Sequence, residues 1–76
     1  MSNLLFTITR EAKIEHETYI EYSEVKIYPI MEYKSEKRAL ERFALLPSDY
    51  GFRWVLTKIT IEKNGKTYDI IKIKGE

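Results

Sequence analysis

The sequence predicts an α+β domain in which one helix packs on a four-stranded, largely antiparallel sheet, with the elements in the order ββαββ. Three observations lead to this prediction. Residues 4 to 14 alternate between apolar and polar side chains, one amphipathic helical segment ends near Pro47, and two β-rich runs flank a turn signal at Asn64-Gly65. Since no linker or internal repeat interrupts the chain, we expect a single domain over residues 1 to 76.

Composition indicates a folded protein with a small core. The chain has 76 residues, of which 43% are hydrophobic and 13% aromatic, more than a disordered segment carries. A domain of this size buries only roughly 60% of the surface of its unfolded chain. Cysteine is absent, so neither disulfides nor a thiolate metal site can add stability. The stability of the fold must therefore come from the core or from a partner.

Charge and segment composition set the expected location. The formal net charge is +1 although 33% of residues are charged, so both signs should be interleaved, and bulk charge does not indicate nucleic-acid binding. The first residues lack a secretory signal and no apolar run is long enough to span a membrane. We therefore expect a cytoplasmic protein without a membrane partner. The abundance of Glu, Lys, Ile and Tyr is typical of a thermophile but also of AT-rich coding, as in a mobile element.

The first strand is predicted over residues 4 to 14. Its alternation is interrupted by Arg10, whose stem we expect at the sheet rim with the guanidinium in water. The apolar positions that share one side are Leu4, Phe6, Ile8, Ala12 and Ile14.

A second strand is predicted from Tyr19 to Ile30, with an irregularity inside it. An extra residue at Ser23 or Glu24 would form a β-bulge. Pro29 has no amide hydrogen, so the strand should end there or lie at a sheet edge. The bulge would bring these apolar side chains to one face: Ile20, Tyr22, Val25 and Ile27.

One helix is predicted over residues 36 to 46. Ser35 suits its N-cap, Glu36 suits the positive end of its dipole, and Pro47 stops it. Its apolar stripe comprises Ala39, Leu40, Phe43, Ala44 and Leu46.

The last two strands form a hairpin over residues 52 to 63 and 66 to 74, for which two registers compete. A two-residue turn would pair Lys63 with Lys66, whereas a three-residue loop would pair Glu62 with Lys66. The first groups Val55, Ile59 and Ile61 with Tyr68 and Ile70. The second, which we favour because it gathers β-branched residues into one core, groups Val55, Ile59 and Ile61 with Ile71 and Ile73, and places behind them Trp54, Leu56, Tyr68 and Ile70 among Lys58, Lys72 and Lys74.

Both registers leave a second apolar face on the hairpin. A helix of about three turns covers only one face of a sheet, and an exposed patch that contains Trp and Tyr is typical of an interface. The alternative is that Trp54 is covered by the N-terminal residues or by the loop from Pro47 to Gly51.

Motifs for catalysis or cofactor binding are lacking. His16 lies between Glu15 and Glu17 in a predicted turn, where strand alternation separates the carboxylates from the imidazole. The three glycines are too far apart for a phosphate loop, and no serine has a nucleophile context. We expect no enzyme activity, no cofactor and no metal.

The sequence therefore predicts a non-enzymatic accessory or inhibitory subunit that docks on a larger cytoplasmic protein. Its expected contact residues are Trp54, Leu56, Tyr68 and Ile70, with Lys72 and Lys74 at the rim.

Two alternatives use the same face. One is a homodimer. The other is single-stranded nucleic-acid binding, in which Trp and Tyr stack on bases and the phosphates meet Lys58, Lys66, Arg38 and Arg42. Lysines on a terminal strand also protect a sheet edge.

Overall fold

The computed structural model of the chain describes residues 3–26, 30–48 and 50–75. As predicted, one helix packs on a largely antiparallel sheet in a small α+β domain, but the sheet has five strands rather than four. The elements are, in chain order, β1 (Asn3–Glu15), β2 (Ile20–Glu24), β3 (Met31–Tyr33), α1 (Glu36–Ala44), β4 (Phe52–Glu62) and β5 (Gly65–Gly75).

The long strand β1 organises the sheet. On one edge it pairs with both β2, through residues 11 to 15, and β3, through residues 6 to 8. On its other edge it pairs with β4, which in turn pairs with β5, giving the order β2-β1-β4-β5. The strands β1 and β4 are therefore central, and β5 is an edge strand of 11 residues.

The predicted second strand is wrong as a single element. Strand β2 ends at Glu24, and the Val25 amide then donates to the Arg10 carbonyl at 2.8 Å before a turn at Lys26. The chain returns to β1 only as the three-residue strand β3, which is too short to show alternation. The bulge expected to carry the strand past Glu24 is thus not needed, and the predictions for Ile27 and Pro29 lie outside the described residues.

The helix covers one face of the sheet and builds the core there. Ser35 is its N-cap, since its hydroxyl accepts from the Arg38 amide at 3.4 Å. The helix ends at Ala44, two residues before the predicted end at residue 46, and Ala44 itself is exposed. The buried core cluster comprises Phe6, Ile8, Ala39, Phe43, Leu46, Trp54 and Leu56, with Leu40 and Ile71 packed against it.

The register of the β4–β5 hairpin differs from both predicted pairings, but the grouping predicted for the two-residue turn, Val55, Ile59 and Ile61 with Tyr68 and Ile70, is confirmed. Glu62 lies opposite Gly65, so the connecting residues are Lys63 and Asn64. Gly65 has φ 146°, a backbone conformation that favours glycine, which explains why the strand can begin there.

A register shift between Leu56 and Thr57 has a larger effect on the faces of the hairpin. Leu56 pairs with Lys72 and Thr57 with Ile70, so Ile71 is an extra residue in β5. Such a bulge resets the alternation of side chains along the strand. As a result Ile70 and Ile73 lie on the same face, although residues three apart lie on opposite faces of a regular strand.

Arg10 is buried, and the prediction that its guanidinium reaches water is wrong. The side chain is 7% exposed. Its guanidinium carbon lies 4.6 Å from the ring centroids of both Phe52 and Trp54. Stacking on two aromatic faces compensates an arginine for lost hydration, so Arg10 extends the core instead of ending it.

Candidate interaction surface

The face of the sheet opposite the helix carries apolar residues on three strands. Pairing places Leu5, Ile59 and Tyr68 in one cross-strand row and Val55 beside Ile73 in another. Thr7 and Thr57 lie opposite Ile70 in the row between them. None of these residues belongs to the core cluster under the helix. We call this surface the open face and define it by its apolar residues Leu5, Val55, Ile59, Ile61, Tyr68, Ile70 and Ile73.

Exposure on the open face increases toward the sheet edge. Val55, in the central strand β4, is only 3% exposed, and Ile59 is half-buried. On the edge strand β5, in contrast, Tyr68 is 63%, Ile70 61% and Ile73 48% exposed. The accessible apolar surface is therefore concentrated on β5, next to a central strand that is already partly covered by its neighbours.

A polar cluster borders the open face near β2. Arg53 donates through Nε to the Glu11 carboxylate at 2.6 Å, and its guanidinium carbon lies 3.6 Å from the centroid of the Tyr22 ring. Both ion-pair partners are less than one quarter exposed. A charge-assisted hydrogen bond with this geometry fixes the arginine side chain, so the apolar surface ends at a rigid, electrically neutral border.

The structure contradicts the predicted grouping of Trp54 and Leu56 with Tyr68 and Ile70. Leu56 is fully buried and Trp54 is 8% exposed, both under the helix. The indole Nε1 donates to the Pro47 carbonyl at 3.0 Å. The alternative expectation was that the N-terminal residues or the loop from Pro47 to Gly51 cover Trp54, and the hydrogen bond to Pro47 agrees with the second of these. The hairpin register causes the difference, because Glu62 lies opposite Gly65 and Tyr68 therefore lies opposite Ile59.

The lysines predicted to rim the apolar face lie on the other side of the sheet. Lys72 pairs with Leu56 and Lys74 with Trp54, which places both on the face that the helix covers. Lys74 Nζ donates to the carbonyls of Phe43 at 3.3 Å and Ala44 at 3.0 Å. A cation at this position satisfies orphan carbonyls and the negative end of the helix dipole, so Lys74 has a structural role.

The predicted nucleic-acid platform is also divided between the two faces. Lys58 pairs with Phe6 and so lies on the helix side, whereas Lys66 pairs with Ile61 on the open face. Arg38 and Arg42 are exposed on the helix. Since Trp54 is buried, the aromatic residue that shares a face with Lys66 in this hairpin is Tyr68.

His16 is exposed in the loop between β1 and β2, as expected for a turn residue. Its Nε2 lies 2.9 Å from Glu21 Oε1, and its ring stacks on Tyr19 with 4.2 Å between centroids. No sequence pattern identified Glu21 as the partner of His16, because Glu21 lies on β2, across the loop.

Within residues 3–26, 30–48 and 50–75, no group of three His, Asp or Glu side chains is arranged to hold a metal ion. Two surface depressions lie at the hairpin turn around Lys66 and at the sheet end between Leu4, Lys34 and Ile61.

No protein-family model, curated protein or solved structure matches this chain. In the described part of the chain, no helix has both the length and the apolar character needed to cross a bilayer.

Proposed function

We propose that this protein is a non-enzymatic accessory or inhibitory subunit that docks on a larger cytoplasmic protein through the open face. The observation that supports the proposal is the exposure of Tyr68, Ile70 and Ile73, next to the half-buried Ile59 and the buried Val55. Exposed apolar patches of a few hundred Å² mark interaction sites on soluble proteins.

The residue types of the open face suit an interface centre. Covering the exposed part of an isoleucine stabilises a complex by about 1 to 2 kcal/mol, and tyrosine is enriched among residues that dominate binding energy. The neutral Arg53–Glu11 border can remain hydrated at the rim, where polar groups are tolerated. Tyr68 and Ile70 are thus the contacts expected to matter most.

The shape of the surface indicates what the partner contributes. The helix α1 already covers the opposite face by packing Ala39 and Phe43 onto the sheet. An amphipathic helix of the partner, laid on the open face, would complete a three-layer arrangement with the sheet in the middle. Because the net charge is only +1, binding would depend on apolar burial and only weakly on salt.

A pair of tyrosine variants tests the proposal. Tyr68→Ala should weaken capture of a partner protein by tenfold or more, about 1.4 kcal/mol. Tyr50→Ala is the matched control, because Tyr50 is 84% exposed but lies in the loop before β4. The measurement is affinity capture from the source cells with both variants, followed by calorimetric titration of the captured protein.

Two outcomes would refute the docking surface. The first is a captured protein that binds both tyrosine variants with the affinity of the unaltered chain. The second is capture of nucleic acid alone, with binding that falls steeply as salt is raised, since counterion release gives phosphate binding that dependence.

A further inference from the structure

The edge strand β5 has a pattern of faces that reads the same in both directions about its bulge. Pairing with β4 places Ile70 and Ile73 on the open face and Asp69 and Lys74 on the helix side. Ile71 packs against the core under the helix. Lys72 lies opposite Leu56 and is therefore also on the helix side. Residues 71, 70 and 69 therefore lie on the helix side, the open face and the helix side in turn, and residues 72, 73 and 74 repeat this order in the other direction.

This symmetry decides how two β5 strands can pair. In an antiparallel pair related by a two-fold axis perpendicular to the sheet, directly opposite residues point to the same face. In a regular strand the side chains alternate between the two faces, so this condition holds only when the two-fold axis passes through a residue. With the bulge, the axis must lie between Ile71 and Lys72 if faces are to agree along the whole paired segment, from Tyr68 to Gly75.

We propose that two copies of this chain pair β5 with β5, antiparallel and centred on the bulge, so that Ile70 lies opposite Ile73 and Asp69 opposite Lys74. The two sheets then form one continuous sheet. This dimer is formed by the edge of the sheet and not by stacking on the open face, so it is separate from the docking function proposed above, although Ile70 and Ile73 take part in both.

Charge complementarity favours this register and this partner. Each Asp69 meets Lys74 of the other copy, and the two-fold axis makes that contact twice. Lys74 is half-buried and donates to two helix carbonyls, while an ammonium has three donors. In the proposed dimer the third would be available to the Asp69 carboxylate of the other copy. A register centred on Ile70 would instead set Asp69 opposite Ile71, so the carboxylate would lose its cationic partner.

Apolar complementarity supports the same arrangement. In the free chain Ile70 and Ile73 are 61% and 48% exposed on an edge strand, where the outer backbone groups of β5 are open to pairing. Two adjacent Ile70–Ile73 contacts would cover both side chains on the open face. Since the net charge of each copy is only +1, overall repulsion between copies is small.

The first test measures the oligomeric state of the purified chain by sedimentation velocity over a concentration series. The unaltered chain should show a monomer–dimer equilibrium, and Asp69→Lys should raise the dissociation constant by about tenfold or more. Glu24→Lys is the matched control, since it makes the same charge change at an exposed position on β2, at the opposite edge, and should leave the equilibrium unchanged.

The second test reads the register directly and does not depend on the effect of a charge reversal on folding. The chain contains no cysteine, so Ile70→Cys and Ile73→Cys each introduce a single thiol. Under mild oxidation a mixture of the two variants should form a covalent dimer, because opposite residues have Cα atoms about 5 Å apart, within disulfide reach. Each variant alone brings its thiols to roughly 8 Å or more and should cross-link much more slowly.

Three results would overturn the proposal. They are a chain that stays monomeric up to millimolar concentration, a dimer that responds equally to Asp69→Lys and Glu24→Lys, and cross-linking of either cysteine variant alone as fast as in the mixture.

Discussion

Replacing Trp54 by alanine should destabilise the monomer itself. The indole is 8% exposed, packs in the core with Phe43 and Leu56, and donates a hydrogen bond to the Pro47 carbonyl. Its ring also stacks on the Arg10 guanidinium. The substitution therefore removes a large buried side chain, leaves a carbonyl without its donor and deprives a buried cation of one of its aromatic neighbours.

The expected cost follows from these contacts. A buried Trp→Ala change costs about 3 to 5 kcal/mol through lost transfer energy and the cavity that remains. Domains of this size have total stabilities of about 5 to 10 kcal/mol, so the variant would retain only part of that margin. Trp54→Phe keeps most of the apolar volume and loses the Pro47 hydrogen bond, for an expected cost of about 1 to 2 kcal/mol.

Urea unfolding followed by far-ultraviolet circular dichroism measures both variants against the unaltered chain. Both variants should have a lower urea midpoint than the unaltered chain, and the decrease should be larger for Trp54→Ala than for Trp54→Phe. A midpoint for Trp54→Ala equal to that of the unaltered chain would show that the indole contributes little to the core, and would restore the surface role that the sequence suggested for it.

Three further substitutions test local features of the fold by the same measurement. Lys74→Met should cost about 1 to 2 kcal/mol, because two helix carbonyls lose a charged donor, while Lys72→Met, at an exposed position, should cost much less. Gly75→Ala should destabilise more than Gly51→Ala: both have positive φ, but a Cβ at Gly75 would lie 2.7 Å from the Phe52 carbonyl oxygen whereas Gly51 has open space. Ser35→Ala should cost about 0.5 to 1 kcal/mol, because Ser35 caps the helix, and an unchanged midpoint would show that the 3.4 Å cap adds nothing.

The elements with strong local signals were predictable. The alternation around Phe6 and Ile8, the Ser35 cap and the turn signal near Gly65 identified strand, helix and hairpin, because each depends on residues close in sequence. The α+β class followed from their order. The third strand was missed because Met31–Tyr33 is held by pairing with β1 rather than by a pattern of its own.

The composition of the apolar surface was harder to predict than its existence. More apolar side chains occur on the hairpin than one short helix can cover, and this excess is visible in the sequence. Which of them remain exposed depends on a register set by Glu62 and Gly65 and on a single extra residue, Ile71. A shift of one residue exchanges the two faces of a strand, so the favoured register wrongly placed Tyr68 and Ile70 on the face of Trp54 and Leu56.

The central position of β1 has a consequence for how the protein is made. Asn3 pairs with Ile61 and Ala12 with Phe52, so a strand synthesised early finds its main neighbour only after all the intervening chain has left the ribosome. Such high contact order slows folding, since loop-closure entropy is lost before the distant pairing stabilises the chain. Until then the apolar residues Phe6 and Ile8 lack their cover, and a nascent chain at this stage is a natural substrate for chaperones.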